Sequence, residues 1–267
     1  MSRLKSSKAE VAVICGSGLE KLIAGTQQQV PRTPYGDAAP VVIRKLEGTK
    51  VAYLPRHGAS HSVPPHKINY RANIYALHML GVRRILATNA VGAINIRFKR
   101  ADFVVPHDFV DFTKARPSTF FDEAPVTHVD LSVPYCPQLR EALVGTARKL
   151  GLKAWDEAVL VCTEGPRLET PAEIRMFKSL GCDVVGMTGF PEVVLAKELG
   201  ICYASVCYVS NLASGLQKRL VTEELVRVSE QIMPDLEKLL TETIIALRAK
   251  NRRTCRCTSD VRSARLV

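Results

Sequence analysis

Short apolar runs alternate with helix-length segments along most of this chain, and that alternation limits its fold more than any other feature. "EVAVIC" (10–15) reads as a strand, followed by the small-residue turn Gly16-Ser17-Gly18. "PVVIRKL" and "KVAYLP" read as an antiparallel pair turning at Glu47-Gly48. From Ile68, apolar residues recur at 72, 75, 76, 79 and 80, a helical spacing that Gly81 stops. "RRILATNA" and "FVVPHDFVDF" are further strands, and a loop-rich stretch spans about 116–137. A helix over 138–150 leads into the strand "EAVLVCT". "TPAEIRMFKSLG" carries the start signals of a helix: Thr170 as N-cap, Pro171 in the first turn, Glu173 as capping-box partner. Strand "CDVVGM", helix "PEVVLAKELG", strand "ICYASVCYV" and a long helix from about Thr222 complete the series. Pro234 is expected to kink or divide that last helix. The pattern predicts a layered α/β sheet.

The net charge of +11 first suggests nucleic acid, but its distribution argues otherwise. Residues 248–267 carry +6 and residues 1–10 carry +2, so only +3 remains for everything between. The expected organisation is therefore a flexible N-terminus (1–9), one domain over 10–250 and a basic flexible tail (251–267). Charge runs at termini are usually solvated, so nucleic acid is not the expected partner. Every apolar run falls short of the roughly 18 residues of a membrane span. "MSRLKSSKAE" has no apolar signal region, which makes cytoplasmic the default location.

Eight cysteines lie at 15, 136, 162, 182, 202, 207, 255 and 257, with no CxxC pair. Cys15, Cys162, Cys202 and Cys207 fall in apolar strand-like runs, where Cys behaves as a small hydrophobe. The one close pair, Cys255-Arg256-Cys257, falls in the tail. Reduced structural thiols are the expectation.

Polar and small residues gather where the strands end, the usual ligand position in open α/β sheets. Gly16-Ser17-Gly18, Arg56-His57-Gly58, Asn89-Ala90 and Met187-Thr188 each follow a strand. Together they supply a guanidinium, hydroxyls and backbone N–H groups, the donors that hold a phosphate. Lys21 stands where a dinucleotide fingerprint needs its third Gly, and GxxxxGK[ST] does not occur.

These residues carry a resemblance. "CGSGL", "RHGASH", "KINYRANIYAL", "ATNAVGAIN", "TEGPRLETPAEIRMFKSLGCDVVGMTGFPEVVLAKELGICYAS" and "SNLASG", in this order over about 11–248, resemble the trimeric nucleoside phosphorylase family. The resemblance implies a single-domain, three-layer α/β/α fold with a mixed central sheet. It implies attack of inorganic phosphate on the anomeric carbon of a nucleoside through an oxocarbenium-like transition state, with largely electrostatic catalysis. The phosphate ligands would be Ser17, Arg56, His57, Asn89, the Ala90 backbone and Thr188, with Met187 against the ribose. Phosphate would be the co-substrate, and no metal or organic cofactor is implied.

The resemblance also bears on the base. Adenine-selective members carry Asp at the end of the "ICYASVCYVSN" strand and a second Asp two residues on; here those places hold Asn211 and Ala213. Members that cleave 6-oxopurines carry Asn there together with the Glu that is Glu169 here, next to Leu168 in the base pocket. A 6-oxopurine presents a ring N–H beside a carbonyl, which suits a carboxylate acceptor and an amide donor. Mispairing buried polar groups costs roughly 1–3 kcal/mol each, which favours hypoxanthine- or guanine-type bases.

At the sugar's 5′ end, ordinary purine nucleoside phosphorylases place a His near the start of the last helix. This chain has Thr222, Leu225 and Val226 there and no His after His128. An apolar lining suits a methylthio group, and His128 resembles a position that methylthio-specific members insert into a neighbouring subunit's site. 5′-Methylthioinosine is the substrate these features favour. A methylthioadenosine phosphorylase, a general 6-oxopurine nucleoside phosphorylase, and a non-catalytic purine or nucleic-acid binder using the basic tail stay open.

Overall fold

A computed structural model describes residues 8–16, 28–58, 62–217, 222–249 and 254–259, the side chains of 222–225 excepted. Strand β1 (Val11–Cys15) is buried along its whole length. The short pair β2 (Arg32–Thr33) and β3 (Gly36–Asp37) forms a separate hairpin that the sequence does not announce. β4 (Val42–Leu46) and β5 (Thr49–Pro55) are the expected antiparallel pair. Both residues of their turn take positive φ, 43° at Glu47 and 83° at Gly48.

Helix α1 (Tyr70–Met79) forms where the spacing placed it, capped by the Asn69 side chain on the Ala72 N–H. Its phase differs from the sequence reading: Ile74 and Leu77 are buried, and Met79 is 40% exposed. β6 (Arg84–Ala93) follows, running three residues past the end of "RRILATNA". "FVVPHDFVDF" divides around Pro106 into β7 (Phe103–Val104) and β8 (Asp108–Phe112), since proline supplies no ladder donor. The second half of the chain supplies α2 (Pro137–Lys149), β9 (Ala154–Trp155) and β10 (Val159–Thr163). After these come α3 (Pro171–Ser179), β11 (Val184–Gly186), α4 (Glu192–Glu198), β12 (Cys202–Leu212) and α5 (Thr222–Ala249). Both halves of the α3 capping box are present. α5 continues through Pro234 without the expected division.

The sheet is mixed. Its main path runs β4-β5-β1-β6-β11-β10-β8, with β12 joined to β6 and β7, and β7 to β9. β6 is the hub: it pairs parallel with β1 and β12, and antiparallel with β11 at its far end. Alternate residues of β1 face opposite ways. Val11, Val13 and Cys15 join α2, α5 and β12 in one core, while Ala12 and Ile14 join α1 and α4 in another. A strand apolar on both faces must lie between two helical layers, which makes the fold a three-layer α/β/α sandwich.

The body is larger than expected at both ends. Ala9 is buried, its N–H donating to the Leu80 carbonyl. Of the supposed tail, residues 254–259 are described, and Cys257 packs into the α2–α5 core. No helix among the described residues is long and apolar enough to cross a membrane.

Candidate active site

β6 and β12 run side by side with Asn89 opposite Cys207 and Gly92 opposite Asn211. At 3.3 Å per residue, Asn89 and Asn211 therefore stand about 10 Å apart along the sheet, roughly the length of a nucleoside. Between them lies a cavity of about 210 Å³.

Ten of the residues singled out in the sequence line this one cavity. Arg56, His57, Asn89, Ala90 and Thr188 stand beside Gly16; Leu168, Glu169, Met187, Asn211 and Ala213 contribute the rest. Ser17 lies outside the described residues, as do the side chains of Thr222 and Leu225. Val226 is described, 51% exposed and away from the cavity. His128 is exposed on the loop between β8 and α2, also away from the cavity of its own chain.

At the Arg56 end the polar groups are held firmly. The Arg56 guanidinium is fully buried, with Nε 2.5 Å and Nη2 2.9 Å from the two carboxylate oxygens of Glu192, and Nη1 2.8 Å from the Thr88 carbonyl. Burial disfavours the guanidinium charge, yet the facing Glu192 carboxylate overrides it and raises the pKa above its ordinary value. Tyr203 donates a further hydrogen bond to Glu192, at 2.8 Å. His57 Nδ1 lies 2.9 Å from the Val63 carbonyl, a hydrogen-bond contact that orients the ring. Thr188 donates to Asn89 Oδ1 at 2.7 Å, and Asn89 Nδ2 donates to the Ser205 hydroxyl. Gly16 leaves no room for a side chain, because a Cβ there would lie 2.4 Å from the Thr88 carbonyl oxygen.

At the other end, Glu169 accepts a 2.7 Å hydrogen bond from Thr163, the last residue of β10. Asn211 sits just beyond a β-bulge: the ladder pairs Val209 with Val91 and then Asn211 with Gly92, so Ser210 is the extra residue. Ser210 donates to Asn211 Oδ1 at 2.7 Å, and Asn211 Nδ2 donates to the Leu212 carbonyl at 2.8 Å. Gly92 makes space for this amide, since a Cβ on it would come within 3.1 Å of Nδ2.

Sequence reasoning missed two residues that position the others. Glu192, in "GFPE", is the carboxylate that a buried Arg56 requires. Arg116 lies in the stretch read as loop, with its side chain 2% exposed. Its guanidinium reaches the carbonyls of Thr163, Glu164 and Phe190 at 2.8–3.0 Å and stacks 5.2 Å from the Tyr70 ring centroid. It thereby ties the loop that carries Glu169 to the loop that leads into Glu192 at the start of α4.

A sequence model described as "Phosphorylase superfamily" matches residues 10–245. The chain belongs to the phosphorylase superfamily. A "Probable S-methyl-5'-thioinosine phosphorylase" of Methanopyrus kandleri is 49% identical over 257 residues, covering 96% of this chain and 98% of that protein. A "6-oxopurine nucleoside phosphorylase" of Pyrococcus furiosus is 46% identical over 263 residues, covering 95% and 98%. Among solved structures, the methylthioadenosine phosphorylase of Schistosoma mansoni with adenine superposes with a TM-score of 0.89 at 29% identity, covering 97% of this chain and 99% of that one. With relatives of that activity at 46–49% identity over nearly its full length, this superfamily member is a nucleoside phosphorylase, a pentosyltransferase.

Proposed function

We propose that this enzyme cleaves 6-oxopurine nucleosides by phosphorolysis, with 5′-methylthioinosine as preferred substrate and hypoxanthine and 5-methylthioribose 1-phosphate as products. One observation carries the base assignment. Glu169 and Asn211 line the same cavity, and Ala213, where a second acid would serve adenine, lines it too.

In this reading inorganic phosphate is the co-substrate and lies at the Arg56 end. Arg56, His57, Asn89, Thr188 and the Ala90 backbone hold it, with Ser17 completing the set. The Val63 carbonyl orients the His57 ring through Nδ1, and in this reading the ring is one of the phosphate ligands. Met187 packs against the ribose. As the C1′–N9 bond breaks, its electron pair goes to the purine, and a phosphate oxygen forms the new bond to C1′. The Asn211 amide donates to the departing base as it gains charge, and Glu169 accepts from the ring N–H. Preorganisation supports this assignment: the Arg56 donor is already fixed by Glu192 and the Thr88 carbonyl, and the Glu169 acceptor by Thr163.

The 5′ end is completed by a neighbour in this reading. His128 and Val226 lie on the surface of their own chain, and a homotrimer lets His128 reach an adjoining site. The reaction is placed in the cytoplasm, where free nucleosides and phosphate meet.

Initial rates with methylthioinosine, methylthioadenosine, inosine and guanosine, each with and without phosphate, test the proposal. Methylthioinosine should lead and every rate should vanish without phosphate. A lead for methylthioadenosine overturns the base assignment. Equal rates for inosine and methylthioinosine favour a general 6-oxopurine nucleoside phosphorylase, the activity named for the Pyrococcus furiosus relative.

A further inference from the structure

Far from the nucleoside cavity, four cysteines distant in sequence meet at one point. Cys136 is the N-cap of α2, Cys202 opens β12, and Cys255 and Cys257 come from the segment after α5. Their four sulfur atoms all lie within 4.8 Å of one another. Cys202 Sγ and Cys255 Sγ are 3.3 Å apart, a non-bonded contact. Cys136 and Cys202 are 1% exposed and Cys257 5%, while Cys255 is partly exposed. A tetrahedral zinc ion with Zn–S bonds of about 2.3 Å separates its ligands by about 3.8 Å, so the cluster has close to the size that such an ion needs.

The surroundings suit the negative charge that four thiolates leave on one divalent ion. No side chain caps the N-terminus of the 13-residue helix α2, so its dipole end faces the Cys136 position. Lys197 and Arg256 line the cleft that holds Cys255 and Cys257, together with one acid, Asp130. The segment is also held through its neighbours: the Thr254 N–H meets Gln138 Oε1 at 3.4 Å, and the Thr258 hydroxyl meets the Gly200 carbonyl at 3.5 Å.

We propose that Cys136, Cys202, Cys255 and Cys257 form a structural tetrathiolate site for one zinc ion, which fastens the C-terminal segment to the start of β12. Binding exchanges four thiol protons for the metal, with no change of oxidation state. Four protein ligands fill the tetrahedron and leave no position for substrate. Asn211 stands at the opposite end of β12, nine residues or roughly 30 Å away, so the ion takes no part in phosphorolysis. Its effect is to close the long excursion of chain that leaves β12, runs through α5 and returns at Cys255 and Cys257.

The test uses the full-length chain produced in zinc-supplemented medium. Elemental analysis should find zinc stoichiometric with the chain, and Cys255→Ser or Cys257→Ser should reduce it to background. Cys182→Ser, in a separate core cluster, should retain it. Should the serine variants fail to fold, cobalt(II) exchanged into the wild-type protein gives the second readout. The intense visible bands of a tetrahedral cobalt tetrathiolate are expected. Metal-free protein whose intact mass, before reduction, is lighter by four hydrogens identifies two disulfides and overturns the proposal. Undiminished zinc in the Cys257→Ser variant overturns it as well.

Discussion

Arg56 and Glu192, 136 residues apart in sequence, form a two-pronged ion pair whose side chains are 0% and 1% exposed. The pair fixes the cation that faces the substrate phosphate in the proposed mechanism. Glu192→Gln keeps the shape and removes the charge, leaving a buried guanidinium short of its counter-ion. Stability should fall by about 3 kcal/mol in denaturant titrations without phosphate, and phosphate should restore part of it. The released positive potential keeps phosphate bound, while the loosened guanidinium misplaces it. kcat should therefore drop about 100-fold with no rise in the KM for phosphate. A raised phosphate KM with kcat intact counts against this role for Glu192.

The base assignment predicts a specificity switch. Asn211→Asp combined with Ala213→Asp supplies the two carboxylates that adenine needs and a 6-oxopurine mispairs. Each mismatch costs roughly 1–3 kcal/mol, so the ratio of kcat/KM for methylthioinosine over methylthioadenosine should fall at least about 10-fold. Competition between the two substrates measures it. An unchanged ratio removes Asn211 from base selection.

The layers and the strand-end residues were legible because they depend on local pattern. β1 announces itself by five consecutive apolar residues, and α3 by Thr170 and Glu173 three apart. What stayed hidden depends on distant partners. Nothing near Arg56 tells that it is buried, because the carboxylate that permits burial is Glu192. Arg116 reads as an ordinary loop cation until three carbonyls converge on it. The Ser210 bulge that sets Asn211 leaves no trace in a run of residues apolar on both faces. The tail misled through its charge: Cys257 is buried among basic residues whose composition alone reads as solvated. Pro234 does not divide α5, which continues through it.

Arg116→Lys tests the link between the two site loops. Lysine keeps the charge, but a single ammonium cannot span carbonyls on both loops as the planar fork does. Leaving buried carbonyls unpaired should cost about 2 kcal/mol of stability. The Glu169 loop should shift more than the Arg56 end, which has its own anchor in Glu192. The KM for nucleoside should therefore rise several-fold more than the KM for phosphate. Equal rises in both place Arg116 with general stability rather than with the base loop.

The α3 capping box supplies a pH-dependent test of local stability. Glu173 is held at a pKa of about 2, chiefly by hydrogen bonds from Arg167 and then by the Thr170 N–H. A carboxyl depressed on folding stabilises the native state above its ordinary pKa, and that contribution fades as pH falls through the folded value. For Glu173 the window runs from about 4.5 down to about 2. The side chains of Arg167 and Glu173 are 64% and 31% exposed, so solvent screening keeps the effect small. Glu173→Gln should cost about 0.5–1 kcal/mol at pH 7, typical of a weakened helix cap. The wild-type advantage in urea midpoint should hold down to about pH 4.5 and close toward pH 2. An advantage that persists unchanged to pH 2 would show that the cap works through shape alone, and one that grows on acidification has the wrong sign for an ionised Glu173.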